Sequence, residues 1–273
     1  IIHLAAHDAY AQVTNMLKPK LGSLPPPPLS LAKDDATGTV AMLSAGLMAA
    51  ERLYPDFAEF IAKEAAKWKV NTNPDAVWYG RQVASAWISF RSNDKSNVPQ
   101  LDNLYSEAPG KHRPDPGDPK QSTLGRNWGQ VTPFVISSVP TDAPLCAPPD
   151  LASQGYATAF DQVAICGKEN ITRRDPAFRD KAVTGIFWGY DGANKLGTPP
   201  RLYNQVVRAI PELKTLTHAK QIQLLTAINV AMADAGIAAW HWKYEYDFWR
   251  PVVGIREADK GWGPSTRGDE NTI

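Results

Sequence analysis

The feature that most limits how this chain can fold is one long helical segment in its carboxyl-terminal third. Residues 217–248 contain no proline and repeat apolar side chains at helical spacing, with Thr217 placed as the N-cap and Pro251 placed to stop the helix. At 1.5 Å per residue, such a helix would extend for about 48 Å. It is apolar nearly all round, which predicts that it is buried.

The remainder of the chain continues this helical pattern. Segments rich in Ala, Leu, Glu, Lys and Gln predict further helices at about 1–17, 34–53, 56–69, 74–91, 151–166, 176–189 and 200–210. Strand-like alternation with hairpin turns is hard to find. The sequence therefore predicts a mainly α fold class, as one helical domain portion over residues 1–273 that is incomplete at both ends.

One long region lacks helical periodicity. Residues 92–149 hold ten of the 23 prolines, together with Gly, Asn and Asp, and include the run HRPDPGDP. Long loops within compact domains usually carry function or wrap the surface. Two interpretations stay open, a functional loop or a clamp over helix ends.

Charge and hydropathy exclude several classes of partner. Lys+Arg 29 against Asp+Glu 28 leaves a net charge of +1, so no broad cationic surface is available for nucleic acid or an anionic membrane. The most apolar stretch, residues 228–240, contains Asn229 and Asp234 and is too short to cross a bilayer. We expect neither a nucleic-acid nor a membrane partner, and any anion site must be local.

Cysteine and histidine usage leaves the compartment open. Cys146 and Cys166 could form a disulfide in an exported protein or remain two inert thiols. No signal peptide is visible, the chain opens in what reads as mid-helix, and a secreted or periplasmic location is the favoured alternative. His3 and His7 lie one helical turn apart, but no third ligand matches them, so we expect no residue of this chain to coordinate a metal directly.

Two of the predicted helices contain a short stretch of similar sequence. Residues 3–9, HLAAHDA, resemble residues 229–235, NVAMADA, with an Asp-Ala pair in register. Small side chains there would let helices approach closely, as in duplicated helical bundles. The similarity is also short enough to arise by chance.

Two cations at the end of the long helical segment form the candidate site. Lys243 lies on one helical stripe with the apolar core positions, and Arg250 is steered out of the helix because Pro251 follows it. The stripe comprises Ile222, Leu225, Asn229, Met232, Gly236, Trp240, Lys243 and Asp247. An ammonium and a guanidinium converging from one short segment suit an oxyanion such as phosphate or vanadate. Alternatively, Glu245 and Asp247 pair with these cations, or both side chains extend to water.

The spacing of these residues matches a known motif. Lys243, six intervening residues and then Arg250-Pro251 resemble the first motif of the superfamily that joins the vanadium haloperoxidases and type 2 phosphatidate phosphatases. The segments FWGYDGANKLGTPPRLYNQVVRAI (187–210) and VAMADAGIAAWHWKYEYDFWRPVVGIR (230–256) look like the fungal vanadium chloroperoxidase branch. The segment WGQVTPFVI (128–136) is a looser match.

The resemblance implies a fold and a set of roles. The fold would be the helical bundle of the vanadium haloperoxidase and acid phosphatase type, with long Pro-rich loops, and the cofactor would be vanadate, whose place phosphate can take. Lys243 and Arg250 would bind the vanadate oxygens, Lys243 would polarise peroxide, and Trp240 would line the halide pocket. Asp191 would pair with a vanadate-binding arginine from the carboxyl-terminal half, although a simple turn role also fits its Tyr-Asp-Gly context.

The chain also departs from the family pattern. The family has two further motifs, Pro-Ser-Gly-His and Ser-Arg followed by His, and neither occurs in this sequence. Residues 263–266, Gly-Pro-Ser-Thr, resemble Pro-Ser-Gly-His only superficially. We therefore expect a working enzyme only when a carboxyl-terminal half, as a separate chain, completes the site. The predicted function is oxidation of halide by hydrogen peroxide to hypohalous acid. The alternatives are an acid phosphatase with the same oxyanion cradle and a non-catalytic helical binding protein.

Overall fold

The computed structural model describes residues 1–68, 70–99, 105–115, 117, 119–120, 123–140, 147–167, 179–189 and 197–258. Within this part of the chain the fold is mainly helical, which confirms the predicted class. The helices are α1 (Ile2–Thr14), α2 (Asp35–Leu53), α3 (Ala58–Ala66), α4 (Pro74–Phe90), α5 (Gln154–Cys166), α6 (Arg179–Trp188), α7 (Pro199–Ala209), α8 (His218–Tyr246) and α9 (Pro251–Ala258).

Side-chain caps begin several of the helices. Asp34, Asn73 and Ser153 each accept a hydrogen bond from the backbone N–H three residues on, at the starts of α2, α4 and α5. Thr217 does the same for the N–H of Lys220, at 3.4 Å, as predicted for α8. These caps satisfy N–H groups that the first turn of a helix leaves without partners.

The end of α8 differs from the sequence-based expectation. The helix ends at Tyr246, where Asp247 takes a left-handed conformation with φ of 49°, and Pro251 begins α9. The prediction that Pro251 stops the long helix is therefore wrong. Proline is well accommodated at the first position of a helix, because its fixed φ suits the helix and its missing N–H has no intrahelical partner there.

Contacts divide the chain into two compact units, whereas the sequence predicted one helical domain portion. The first unit is Ile1–Ser96 with Pro200–Ala233, and the second is Asn97–Pro199 with Asp234–Ile273. Because α8 belongs to both units, no linker composition marks the division in the sequence.

The first unit is built on α1, α2 and α4. Small side chains at Ala41, Ala45 and Ala49 are fully buried on one face of α2, and the rings of Tyr10 and Tyr79 are equally buried. Alanine at every fourth position lets neighbouring helices approach closely, since no long side chain separates their backbones. The buried ring of His7 lies 2.8 Å from the Asp8 carboxylate, consistent with a structural histidine.

Gly80 is expected to be intolerant of a side chain. A Cβ atom there would lie 2.3 Å from the carbonyl oxygen of Ala41, where α4 crosses α2. We expect Gly80→Ala to cost about 1–3 kcal/mol of unfolding free energy through overpacking, more than the gain of up to about 1 kcal/mol in helix propensity. In the matched control Gly46→Ala, the new Cβ meets its nearest neighbour, on Ala6, at 3.8 Å, so only the propensity gain remains. Urea unfolding measures the free energy of unfolding of both variants. Equal values would contradict the close approach of α4 to α2 at Gly80.

The second unit has its core between α5 and α9. Tyr156, Phe160 and Ala164 of α5 pack with Val253 and Ile255 of α9 and with Trp249 just before it. Cys166, at the end of α5, is not bridged within the described residues. Cys146 lies outside the described residues, so the alternatives for this pair remain as stated.

The long helix α8 is less buried in this chain than its composition predicts. Only 22% of its most apolar 18-residue window is buried, so the prediction of a buried helix is wrong for the chain taken by itself. By length and composition α8 is also able to cross a membrane, although residues 228–240 alone are too short. A single such helix is weak evidence for a membrane span, because core helices of soluble proteins meet the same criteria.

Candidate functional site

Lys243 and Trp240 lie on one face of the last turns of α8. The Lys243 Nζ atom is 4.9 Å from the centroid of the Trp240 ring, over its face. This contact agrees with the shared stripe predicted from helical spacing. Lys243 is exposed and Trp240 is half-buried. The last turn of a helix is a favourable position for a cation, because the helix dipole is negative at this end.

A short link, residues 247–250, carries the chain from α8 to α9. It turns sharply at Asp247, whose N–H still donates to the Lys243 carbonyl at 3.2 Å. At the other end, the carbonyl of Arg250 accepts the N–H groups of Val253 at 2.9 Å and Gly254 at 3.2 Å. The backbone of Arg250 is thus fixed outside α8, as predicted from the proline that follows it.

The Pro-rich region reaches the site through residues 110–112. Lys111 forms an antiparallel bridge with Phe248, the N–H of His112 donates to the Asp247 carbonyl at 2.9 Å, and Trp249 donates to Gly110 at 2.9 Å. These backbone bonds attach the loop to the whole length of the link. At least this part of the region is therefore ordered against the candidate site.

Both candidate cations affect the pKa of the His112 imidazole. Burial lowers the pKa of its imidazole below the usual value, the charges of Arg250 and Lys243 lower it further, and Asp247 opposes them. The positive charges of Lys243 and Arg250 both disfavour protonation of this ring, because protonation would add another positive charge near them. Tyr105 contacts the same ring edge-on, with 6.0 Å between ring centroids.

Tyr244 adds a protonated phenol beside this neighbourhood. Burial raises the pKa of its hydroxyl, Tyr105 raises it further, and the charges of Arg126 and Arg250 oppose that rise. The hydroxyl donates a 2.6 Å hydrogen bond to the Leu124 carbonyl. The sequence-based prediction included neither Tyr244 nor His112, although the HRPDPGDP run was singled out as a feature of the long loop.

Other charges near the link serve to attach segments to one another. Arg113 lies over the Trp249 ring, 5.5 Å from its centroid, and 3.3 Å from the carboxylate of Glu257 on α9. Asp247 lies 3.9 Å from the ammonium of Lys111. Asp247, one of the two carboxylates considered as alternative partners for the site cations, therefore also lies near a cation of the loop.

The resulting neighbourhood suits an oxyanion. It combines an exposed ammonium, an exposed guanidinium whose backbone is fixed, and a weakly basic imidazole, all in the second unit. Such groups can neutralise and hydrogen-bond negative oxygens, which fits vanadate or phosphate. Asp191 lies outside the described residues, so its predicted pairing stays a prediction.

Comparison with known proteins gives three kinds of match. The family model of the VCPO second helical-bundle domain matches residues 223–273. The vanadium chloroperoxidase of Curvularia inaequalis is 37% identical over 130 residues, covering 41% of this chain and 21% of that protein. A bacterial vanadium-dependent iodoperoxidase structure matches with a TM-score of 0.72 and 20% identity, and a bacterial vanadium-dependent chloroperoxidase with 0.62 and 15%.

These matches differ in extent. The two structural matches cover 96% and 94% of this chain but only 66% and 62% of the solved chains, and at their low identity they show the fold alone. The match to the fungal protein shows relatedness in sequence over part of the chain. This chain is thus similar to a vanadium chloroperoxidase in sequence over part of its length, and to two vanadium-dependent haloperoxidases in fold over nearly its whole length.

Proposed function

We propose that the full-length protein is a vanadate-dependent haloperoxidase in which Lys243 and Arg250 of this chain hold the vanadate oxygens. It oxidises halide with hydrogen peroxide to hypohalous acid. The observation that carries this proposal is the placement of two cations around one turn. Lys243 lies over the Trp240 ring at the end of α8, and Arg250 ends the link whose Asp247 carbonyl accepts the His112 N–H, within the residues that the family model matches. Lys243 and Arg250 lie on either side of the turn at Asp247, and in this proposal they form half of the oxyanion-binding site.

Each residue contributes a separate physical effect. The Lys243 ammonium supplies a point charge that neutralises a negative oxygen and withdraws electron density from it. The Arg250 guanidinium supplies a planar set of donors suited to two oxygens at once. The pKa of His112 is lowered chiefly by burial and further by Arg250 and Lys243. As a neutral imidazole it can donate or accept one hydrogen bond without adding charge.

Vanadate, when bound, would supply Lewis acidity toward hydrogen peroxide. In the overall reaction, halide loses two electrons and bonds to one peroxide oxygen, the O–O bond breaks, and with one added proton the products are hypohalous acid and water. The motifs that provide the family's acid–base histidine and vanadium-bound histidine are absent from residues 1–273. The proposal therefore assigns these steps to a carboxyl-terminal half.

The first experiment measures peroxide-dependent bromination of a dye by the purified full-length protein, with and without added orthovanadate. An intact-mass spectrum of the same sample identifies every chain present. We expect bromination that depends on vanadate. Hydrolysis of a phosphomonoester without vanadate, together with no bromination after vanadate is added, would instead favour an acid phosphatase. Neither activity in the complete protein would favour a non-catalytic binding protein.

A further inference from the structure

The ring face and the indole N–H of Trp240 each already make an interaction within the chain. Its ring face holds the Lys243 ammonium at 4.9 Å from the centroid, and its indole N–H donates to the Leu124 carbonyl at 3.0 Å. Indole has one N–H donor and no acceptor. The N–H is therefore not available to a halide ion in this arrangement.

Leu124 belongs to a segment that follows α8 over several turns. This segment, residues 123–136, is here named the strap. Its Leu124 carbonyl accepts hydrogen bonds from both Trp240 and Tyr244, at 3.0 and 2.6 Å. Its other end donates three backbone N–H groups to the carboxylate of Asp234. The strap thus runs antiparallel to α8, and its two attachments lie about 9–15 Å apart along the helix axis.

Two glycines allow the strap to approach α8 closely. Gly125 has a φ of 71°, and a Cβ there would lie 2.4 Å from the Trp240 Nε1 atom. At Gly129, a Cβ would lie 2.5 Å from the Cα of His241. Side chains at these positions would push the strap away from the helix. The glycines therefore maintain the bond that orients the indole ring.

We propose that Trp240 is a positioning residue that orients the Lys243 ammonium through its ring face, with the strap in turn fixing the ring. This role rests on the proposed oxyanion site, and it differs from the halide-pocket role that the family resemblance implies for Trp240. Lysine has about 2 kcal/mol of side-chain rotamer entropy, and a contact that orients the ammonium in advance reduces the cost of binding an anion.

The test compares orthovanadate affinity among variants at position 240 of the full-length protein, by calorimetric titration. Trp240→Leu removes the cation–π contact and is expected to weaken binding about 2- to 30-fold. Trp240→Phe keeps a ring face but loses the bond to Leu124, so a smaller loss is expected. Trp242→Leu is the matched control, because the Trp242 ring stacks on Tyr246 at 5.5 Å instead of on the site lysine.

Fluorinated tryptophan at position 240 separates positioning from a merely structural role. Fluorine withdraws electron density from the ring face while keeping the ring's shape, and it makes the N–H a stronger donor to Leu124. A cation–π role therefore predicts that orthovanadate affinity falls with each added fluorine, whereas a structural role predicts no fall. NMR of 13C-lysine-labelled protein adds a readout that needs no vanadate. The ring current of Trp240 should shift the Lys243 side-chain protons upfield, and Trp240→Leu should abolish the shift.

Two failures can be told apart. If the unsubstituted protein binds no orthovanadate, the proposed function fails, and this role fails with it. If it binds orthovanadate but the affinity is the same in Trp240→Leu and in the fluorinated series, only the positioning role is overturned. A raised KM for halide in Trp240→Phe, without any change in orthovanadate affinity, would overturn it in favour of a halide-pocket role.

Discussion

Replacing Lys243 with alanine is expected to lower kcat/KM for bromide oxidation by the full-length protein by about 10²–10³-fold. In the proposed site the ammonium would act on the oxygens where negative charge develops, and losses of this size follow removal of one such donor from an active site. Because Lys243 is exposed, its removal should leave the fold intact. Steady-state kinetics at saturating vanadate measure the effect.

A control at the opposite end of the same helix makes the result specific. Lys220 is also exposed and lies in the first turn of α8, far along the helix axis from the candidate site. Lys220→Ala should leave kcat/KM close to that of the unsubstituted protein, and both variants should keep the same circular dichroism spectrum. Unchanged activity in Lys243→Ala would remove this residue from the proposed mechanism, while leaving the similarity to the vanadium haloperoxidases unaffected.

Helix positions could be predicted from the sequence because they depend on local patterns. Apolar periodicity is evident within a few residues, and the cap predicted at Thr217 is present at the start of α8. The start of α9 was missed because Pro251 can either follow a helix or begin one. The deciding feature, the left-handed turn at Asp247, has no distinctive signature in the sequence.

The candidate site could be predicted only in part, for a similar reason. Lys243 and Arg250 belong to one short motif, so their spacing was sufficient to select them. The bond from Trp240 to Leu124 joins positions far apart in sequence, and its acceptor is a backbone carbonyl, which every residue has. His112 likewise reaches the link through backbone bonds that no pattern of side chains encodes.

The similar sequences at residues 3–9 and 229–235 share one structural feature, a buried aspartate that binds a loop. The aligned residues Asp8 and Asp234 are both buried, and each accepts backbone N–H groups from consecutive residues of a loop. For Asp8 the donors are residues 20 and 21, at 2.8 and 2.9 Å, and for Asp234 they are residues 134, 135 and 136, at 2.6, 2.9 and 3.1 Å. The aspartates hold loops against their helices, a role that the expectation of close helix packing did not include.

Removing the Asp234 carboxylate is expected to produce the largest loss of stability. Asp234→Ala leaves three backbone N–H groups without their acceptor, beside a helix face where Ile237 is only 1% exposed. These hydrogen bonds are partly buried, and a donor that loses a charged acceptor costs about 1–3 kcal/mol. The three costs are not additive, because the strap can shift and admit water. We expect a loss of about 3–5 kcal/mol in the free energy of unfolding, measured in urea.

Hydrogen exchange distinguishes loss of the strap from general destabilisation. In Asp234→Ala, the amides of residues 134–136 should exchange much faster, while the amides in the core of α5 and α9 keep most of their protection. Glu245→Ala, which removes an exposed carboxylate from the same helix, should change stability by no more than about 0.5 kcal/mol. A loss below about 1 kcal/mol in Asp234→Ala would mean that this carboxylate does not hold the strap. In that case the orientation of Trp240, and through it of Lys243, would depend on the Leu124 bonds alone.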